Sequence, residues 1–289
     1  MAALQFGPAC RVKAHMYECD SPYHRVRVAD DDGIRRLTFE RNRQSSMWLD
    51  DPFETDIEYV AYLHLTMAIT PTATRTLLLG LGGGSVVKRM WRDYPDMRVD
   101  AVEIDPAVAE VAQTYFALPE DERIRVFIED GREYMDRCAE TYDIIIVDAF
   151  DDDRVPRPLL TEEFMRECRE CLAPAGVIAY NFIGAVYGPR SKPFRSLYRT
   201  AANVWRQVWV FPIGSGKDPR DNTRNIIMLG TDAEITQTEL LERIAGRAGG
   251  RVTVPRFECL GEDLHTGAIR SGDVPLIVDT ARRKLRRRR

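Results

Sequence analysis

Between residues 76 and 229, short apolar runs alternate with amphipathic segments, and this alternation restricts the fold more than any other feature of the chain. Leu77-Leu78-Leu79 enters the turn Gly80-Leu81-Gly82-Gly83-Gly84, and a helical pattern follows over 85–94. A second run covers 99–104. Asp105 then stands where a helix needs its cap, with Pro106 at the first helical position and Val108, Val111, Ala112 and Phe116 turned inward. Further runs lie at 124–128, 142–147, 176–182, 208–211 and 225–229. Thr161 is placed to cap one more helix, and another is predicted around 193–206. Runs that are apolar without alternation suit strands buried on both faces, covered by the helices between them. The pattern predicts an α/β chain with a doubly wound sheet of seven mostly parallel strands.

The flanks differ in texture. Residues 25–30 and 34–39 alternate polar and apolar around the turn Asp31-Asp32-Gly33, which predicts a β-hairpin with one buried face. A helix is expected over 58–67, before Pro71. The expected organisation is a small N-terminal β-unit with a linking helix over 1–70 and a catalytic unit over 71–235. A C-terminal extension over 236–281 and a basic tail over 282–289 follow. The pattern assigns no element to the last thirty residues before that tail, including Asp273-Val274-Pro275-Leu276.

Several function classes recede on composition. A net charge of −4 gives no reason to expect nucleic acid as a partner of the whole protein, and the nearly all-basic tail reads as a solvated, disordered end. No run of about 18 apolar residues exists to span a membrane. No charged-then-apolar N-terminal signal is visible, and six sparse cysteines fit a reducing compartment, so a cytoplasmic location is expected. Cys168 and Cys171 form a CxxC, but with Phe164 and Leu172 they fall on the buried stripe of one helix. No second pair completes a zinc site, so no metal is expected.

In a sheet of this kind ligands bind beyond the carboxyl ends of the strands. Gly80, Gly82 and Gly84 give G-x-G-x-G, usual in proteins that bind S-adenosyl sulfonium compounds. The third glycine of a dinucleotide turn is instead Ser85. Glu103 ends the second strand 23 residues after Gly80, where a carboxylate can accept from both ribose hydroxyls. Asp130-Gly131 ends the third strand, the position for contacts to an adenine edge. A glycine turn or an acid after a strand also serves simple turning and capping, but three such features close three successive strands.

The fourth strand, Ile144-Ile145-Ile146-Val147, delivers Asp148 to the same edge, and Asp151 follows three residues later. A sulfonium makes its neighbouring carbons electrophilic, so the difficulty lies with the attacker. An amine is an ammonium near neutral pH, with a pKa of about 10, and must shed a proton to attack. A carboxylate within about 3 Å can hold the cation and take that proton. Two carboxylates suit a diamine. Capping by Asp151, Asp152 or Asp153 is the alternative.

These residues resemble the polyamine aminopropyltransferases, the spermidine synthases. Asp148-Ala149-Phe150-Asp151 keeps both acids of that family's D-S-S-D, and Leu160-Thr161-Glu162-Glu163-Phe164 is similar to the segment that follows it there. Val102-Glu103-Ile104-Asp105 matches its V-E-I-D, and Ser21-Pro22-Tyr23-His24 is similar to its S/T-P-Y-Q. The resemblance implies a Rossmann-like, class I S-adenosylmethionine-dependent transferase fold with a small N-terminal β-domain, and a homodimer. It implies decarboxylated S-adenosylmethionine as donor and a diamine such as putrescine as acceptor, with no metal. Carried over, Asp148 is the base, Glu103 holds the ribose and Asp130 the adenine, while Asp151, Tyr59, Gln44 and His24 line the amine side.

The chain departs from the family in three places. Gly83 stands where the family turn has an acid for the donor's amino group, and His24 replaces a glutamine. The loop Pro212-Ile213-Gly214-Ser215-Gly216-Lys217-Asp218 lacks the aromatic that lines the amine pocket. Two alternatives stand beside aminopropyl transfer: methyl transfer from intact S-adenosylmethionine, and nucleoside binding without turnover.

Overall fold

The computed structural model describes residues 14–151, 154–215 and 223–280. At the N-terminus four antiparallel strands lie in chain order: β1 (Ala14–Asp20), β2 (Arg25–Asp31), β3 (Ile34–Phe39) and β4 (Asn42–Trp48). The predicted hairpin is β2–β3. Asp32 and Gly33 both take positive φ, 52° and 75°, as a two-residue turn requires when its twist must match the strands. The sheet has a further strand on each side of this hairpin, which its sequence does not announce. β1 is mostly exposed, and β4 buries the polar Ser45 and Ser46 instead of an apolar alternation. Val26, Val28, Leu37 and Phe39 form the buried face.

The predicted helix at 58–67 divides into α1 (Tyr59–Leu63) and α2 (Thr66–Ile69). The chain then builds β5 (Arg75–Leu79), α3 (Ser85–Asp93), β6 (Arg98–Glu103), α4 (Pro106–Tyr115), β7 (Ile124–Ile128), α5 (Gly131–Asp136) and β8 (Tyr142–Val147). α6 (Glu162–Glu170), β9 (Leu172–Gly184), α7 (Lys192–Val204), β10 (Gln207–Pro212), β11 (Arg224–Thr231) and α8 (Gln237–Ala245) complete it. The seven strands run in the order β10-β11-β9-β8-β5-β6-β7. The five from β5 to β9 are parallel, and β11 is antiparallel to both β9 and β10. Apolar clusters cover both faces. This is the expected seven-stranded transferase fold, and its strand order reverses between β5 and β8, where a crevice opens.

Caps fall where the side chains allow. Asp105 accepts from the Ala107 amide at 2.9 Å, Thr161 from that of Phe164, and Thr236 forms a capping box with Glu239. The cysteine stripe packs as expected through Phe164 and Cys168, but α6 stops at Glu170. Leu172 opens β9 rather than continuing the helix.

Two ties fix the flanks to the sheet. The Ser21 hydroxyl donates to Asp105 Oδ2 at 2.5 Å, which fastens the β1–β2 turn to the end of β6. At the other end the segment before the tail packs on α6. There Asp279 accepts from Thr161 at 2.9 Å and lies 3.3 Å from the guanidinium of Arg132, which also reaches Glu167 at 2.7 Å. Arg132 and Asp279 are both buried. Residues 282–289 lie outside the described residues, as do Asp152, Asp153 and Lys217. Among the described residues no helix is long and apolar enough to cross a membrane.

Removing one partner of a buried ion pair leaves the other charge desolvated, which costs about 3–5 kcal/mol. Asp279→Ala should therefore lower the unfolding free energy by about 3 kcal/mol in a denaturant titration. A loss below about 0.5 kcal/mol would mean that the C-terminal segment does not hold Arg132.

Candidate active site

A cleft of about 390 Å³ lies over the carboxyl ends of β5, β6 and β8, roofed by the N-terminal sheet and α1. A larger cavity, about 480 Å³, lies between α1, α3 and the turn at Phe257–Asp263, and the carboxylates that end the strands do not line it. The chemistry concentrates in the smaller one. Gly80, Gly82, Glu103, Asp130, Gly131, Asp148, Asp151, Tyr59, Gln44 and His24 all line it. Of the residues singled out from the sequence, only Gly84 stands off the cleft. It sits at φ 72° before α3, and a side chain there would strike Leu118, so it serves the turn.

The glycine turn is shaped as much by its neighbours as by any ligand. Gly80 has φ 97°, and a Cβ on it would collide with the backbone carbonyl of Asp148. The two strand ends close on each other through Asp148 N–H to Leu79 O at 2.9 Å. At Gly83 a Cβ would meet the Phe116 ring at 2.8 Å and the Ser45 Cβ at 2.9 Å, while the Gly83 amide donates to Ser45 Oγ at 2.8 Å. A side chain at this position, an acid included, would require Phe116 or Ser45 to shift.

Glu103 is buried at the end of β6. Its Oε2 accepts from the Leu81 amide at 2.9 Å and the Gly82 amide at 3.4 Å, and its Oε1 from Asp105 at 3.0 Å. Burial pushes this carboxyl up, against the pull of those three amides. Its bonds set the shape of the glycine turn. Asp130 caps α5, and the amides of Arg132 and Glu133 both reach its Oδ1, at 2.8 and 3.0 Å. Asp130 also lines the cleft.

Asp148 is half-buried at the end of β8. Asn181 Nδ2 donates to its Oδ1 at 2.8 Å, and the Tyr59 hydroxyl donates to the same carboxylate. Burial pushes the Asp148 carboxyl up to about 7, although both donors favour its charged form. The same burial and the negative charge of Asp148 hold the Tyr59 hydroxyl well above its ordinary value, so Tyr59 stays a donor. Asp151 is exposed at the mouth, fixed by paired backbone bonds with Arg154 at 2.8 and 3.2 Å. On the roof, His24 stacks on Phe39 with centroids 4.2 Å apart, and Gln44 faces the cleft from β4. Among the described residues four carboxylates line the cleft. The basic side chains lining it among the described residues are His24 and Arg132, and the latter is engaged by Glu167 and Asp279. The surroundings favour a cationic guest.

The spermine/spermidine synthase domain family matches residues 57–181, which run from α1 to the strand that carries Asn181. The chain is 33% identical over 229 residues to a polyamine aminopropyltransferase of Chromobacterium violaceum, covering 78% of this chain and 84% of that one. The chain belongs to the polyamine aminopropyltransferase family. The corresponding enzyme of Vibrio vulnificus is 32% identical over 194 residues, which cover 63% of this chain and 64% of that one, just under two thirds of its length. A probable spermidine synthase from Corynebacterium glutamicum shares the fold at a TM-score of 0.71 and 20% identity, covering 92% of this chain and 96% of that one.

Sequence reasoning did not find Asn181, Ser45 or Phe39. For Asn181 a signal existed: one amide inside the apolar run Val177-Ile178-Ala179-Tyr180-Asn181-Phe182.

A carboxyl raised to about 7 in the fold, against about 3.9 when unfolded, stabilises the fold while protonated, and that contribution is lost as pH rises through 7. Asp148→Asn should therefore stabilise the protein at pH 8, on the order of 2 kcal/mol, with a smaller gain at pH 5. Unfolding curves at both pH values check this. A mutant that is less stable at pH 8 would show that Asp148 is not held at a cost to its charge.

Proposed function

We propose that this protein transfers the aminopropyl group of decarboxylated S-adenosylmethionine to a diamine such as putrescine. The observation that carries the reading is Asp148, half-buried beside the glycine turn with its carboxyl raised to about 7 and gripped by Tyr59 and Asn181. A carboxylate with that proton affinity is a far better base than one near 4, yet is still largely ionised above neutral pH.

The adenosyl part of the donor would lie along the ends of β5, β6 and β7. Asp130 Oδ2 is available there for the adenine amino group. Glu103 keeps lone pairs for the ribose hydroxyls in addition to its bonds to the turn. The amine nitrogen attacks the carbon next to sulfur, the carbon–sulfur bond breaks, and its electron pair stays on sulfur, so neutral methylthioadenosine leaves. The proton released by the nitrogen passes to Asp148. Asp151, at the mouth, would hold the distal ammonium of the acceptor, and Tyr59 keeps the Asp148 carboxylate turned toward the reacting end. The negative cleft supports a donor without a carboxylate and an acceptor with two positive charges.

Gly83 favours a second reading, methyl transfer from intact S-adenosylmethionine. The turn presents no acid to repel that donor's carboxylate or to bind the amino group of the decarboxylated one.

Incubation with each donor and a panel of amines, read by mass spectrometry, separates the two. The account expects an acceptor gain of one aminopropyl group and release of methylthioadenosine. A gain of one methyl group from intact S-adenosylmethionine would replace it. Asp148→Asn should retain methylthioadenosine binding within about threefold by calorimetry and lose turnover by about 10²–10⁴. Glu103→Gln should weaken that binding about tenfold. Wild-type turnover in the first variant, or unchanged affinity in the second, contradicts the assigned roles.

A further inference from the structure

Asn181 is fully buried on β9, and a buried amide needs partners for both of its ends. Its Nδ2 donates to Asp148 Oδ1 at 2.8 Å, and its Oδ1 accepts from Asn225 Nδ2 at 2.9 Å. The three residues lie on three neighbouring strands or their ends, β8, β9 and β11. Ile227 is the backbone partner of Asn181, so Asn225 is the diagonal neighbour two residues away on the same face. An amide can turn either its oxygen or its NH2 group toward a neighbour. With the oxygen occupied by Asn225, only the NH2 group can face Asp148.

We propose that Asn181 is a positioning residue for Asp148, and that Asn225 fixes the orientation in which Asn181 acts. This deepens the proposed function, since it rests on Asp148 acting as the base. The donor from Asn181 locks the rotation of the carboxylate and stabilises its charged form, opposing desolvation. Asn225 is the second residue of β11, and its carbonyl accepts from Ile213, just after β10, at 3.0 Å. The orientation of the base is thereby tied to the pairing of β10 with β11.

Other groups face Asp148 as well. Tyr59 from α1 donates to it, the charge of Arg43 acts on Tyr59, and His24, Glu103, Asp130 and Asp151 share the cleft. Each of these is left in place by a change at Asn181.

The test is a ¹³C carboxyl titration of Asp148 in the full-length protein, with the resonance assigned by its loss in Asp148→Asn. Asn181→Val suits a strand and removes the donor. It should raise the midpoint by about one pH unit, as loss of a hydrogen bond to a charged group implies, and the acid limb of the turnover profile should move with it. Asn225→Ser should move the midpoint in the same direction by less. An unmoved midpoint in folded Asn181→Val overturns the inference, as does an unmoved midpoint in Asn225→Ser should the first variant fail to fold. Because the titration needs no substrate, it stands apart from the proposed function. Absence of aminopropyl transfer would remove that reading while a shifted midpoint still supported the relay.

Discussion

The closure of β5 against β8 is the constraint on which the rest of the site depends. Where strand order reverses, the two carboxyl ends must part to leave a crevice, yet here they stay bonded through Asp148 N–H and Leu79 O at 2.9 Å. Only a residue without Cβ can follow Leu79 at that distance, and Gly80 at φ 97° is that residue. One contact therefore starts the glycine turn and sets Asp148 beside it.

The electrostatics follow from that placement. Asp148 is taken out of water far enough to raise its proton affinity, while Tyr59 and Asn181 keep it from being neutralised outright. Glu103 is treated differently. Three backbone amides donate to it, and its carboxylate shapes the turn. The two acids thus differ in their donors, Asp148 held by two side chains and Glu103 by three backbone amides.

Much of this was legible in the sequence because the sheet is buried on both faces. Runs such as Ile144-Ile145-Ile146-Val147 can hardly be anything but core strands, and the residues after them fall at one edge. The spacing of Gly80, Glu103, Asp130 and Asp148 therefore carried the cleft with it. What escaped was polar and long-range. β4 is held by Ser45 and Ser46, whose hydroxyls bond to Gly83 and to Thr55, and no periodicity records such pairs. The cap at Asp105 could be read locally, but its bond to Ser21, 84 residues away, could not. Nor does the pattern reveal that Gly83 is walled in by Phe116, which would have to shift to admit a side chain there.

The proton affinity of Asp148 is common to both group-transfer readings and can be measured directly. The dependence of kcat/KM on pH, which reports the free enzyme, tests it. The account predicts that kcat/KM falls about tenfold per pH unit below a midpoint near 7. A midpoint near 4, the value of an ordinary carboxylate, or a flat profile down to pH 5, would contradict it.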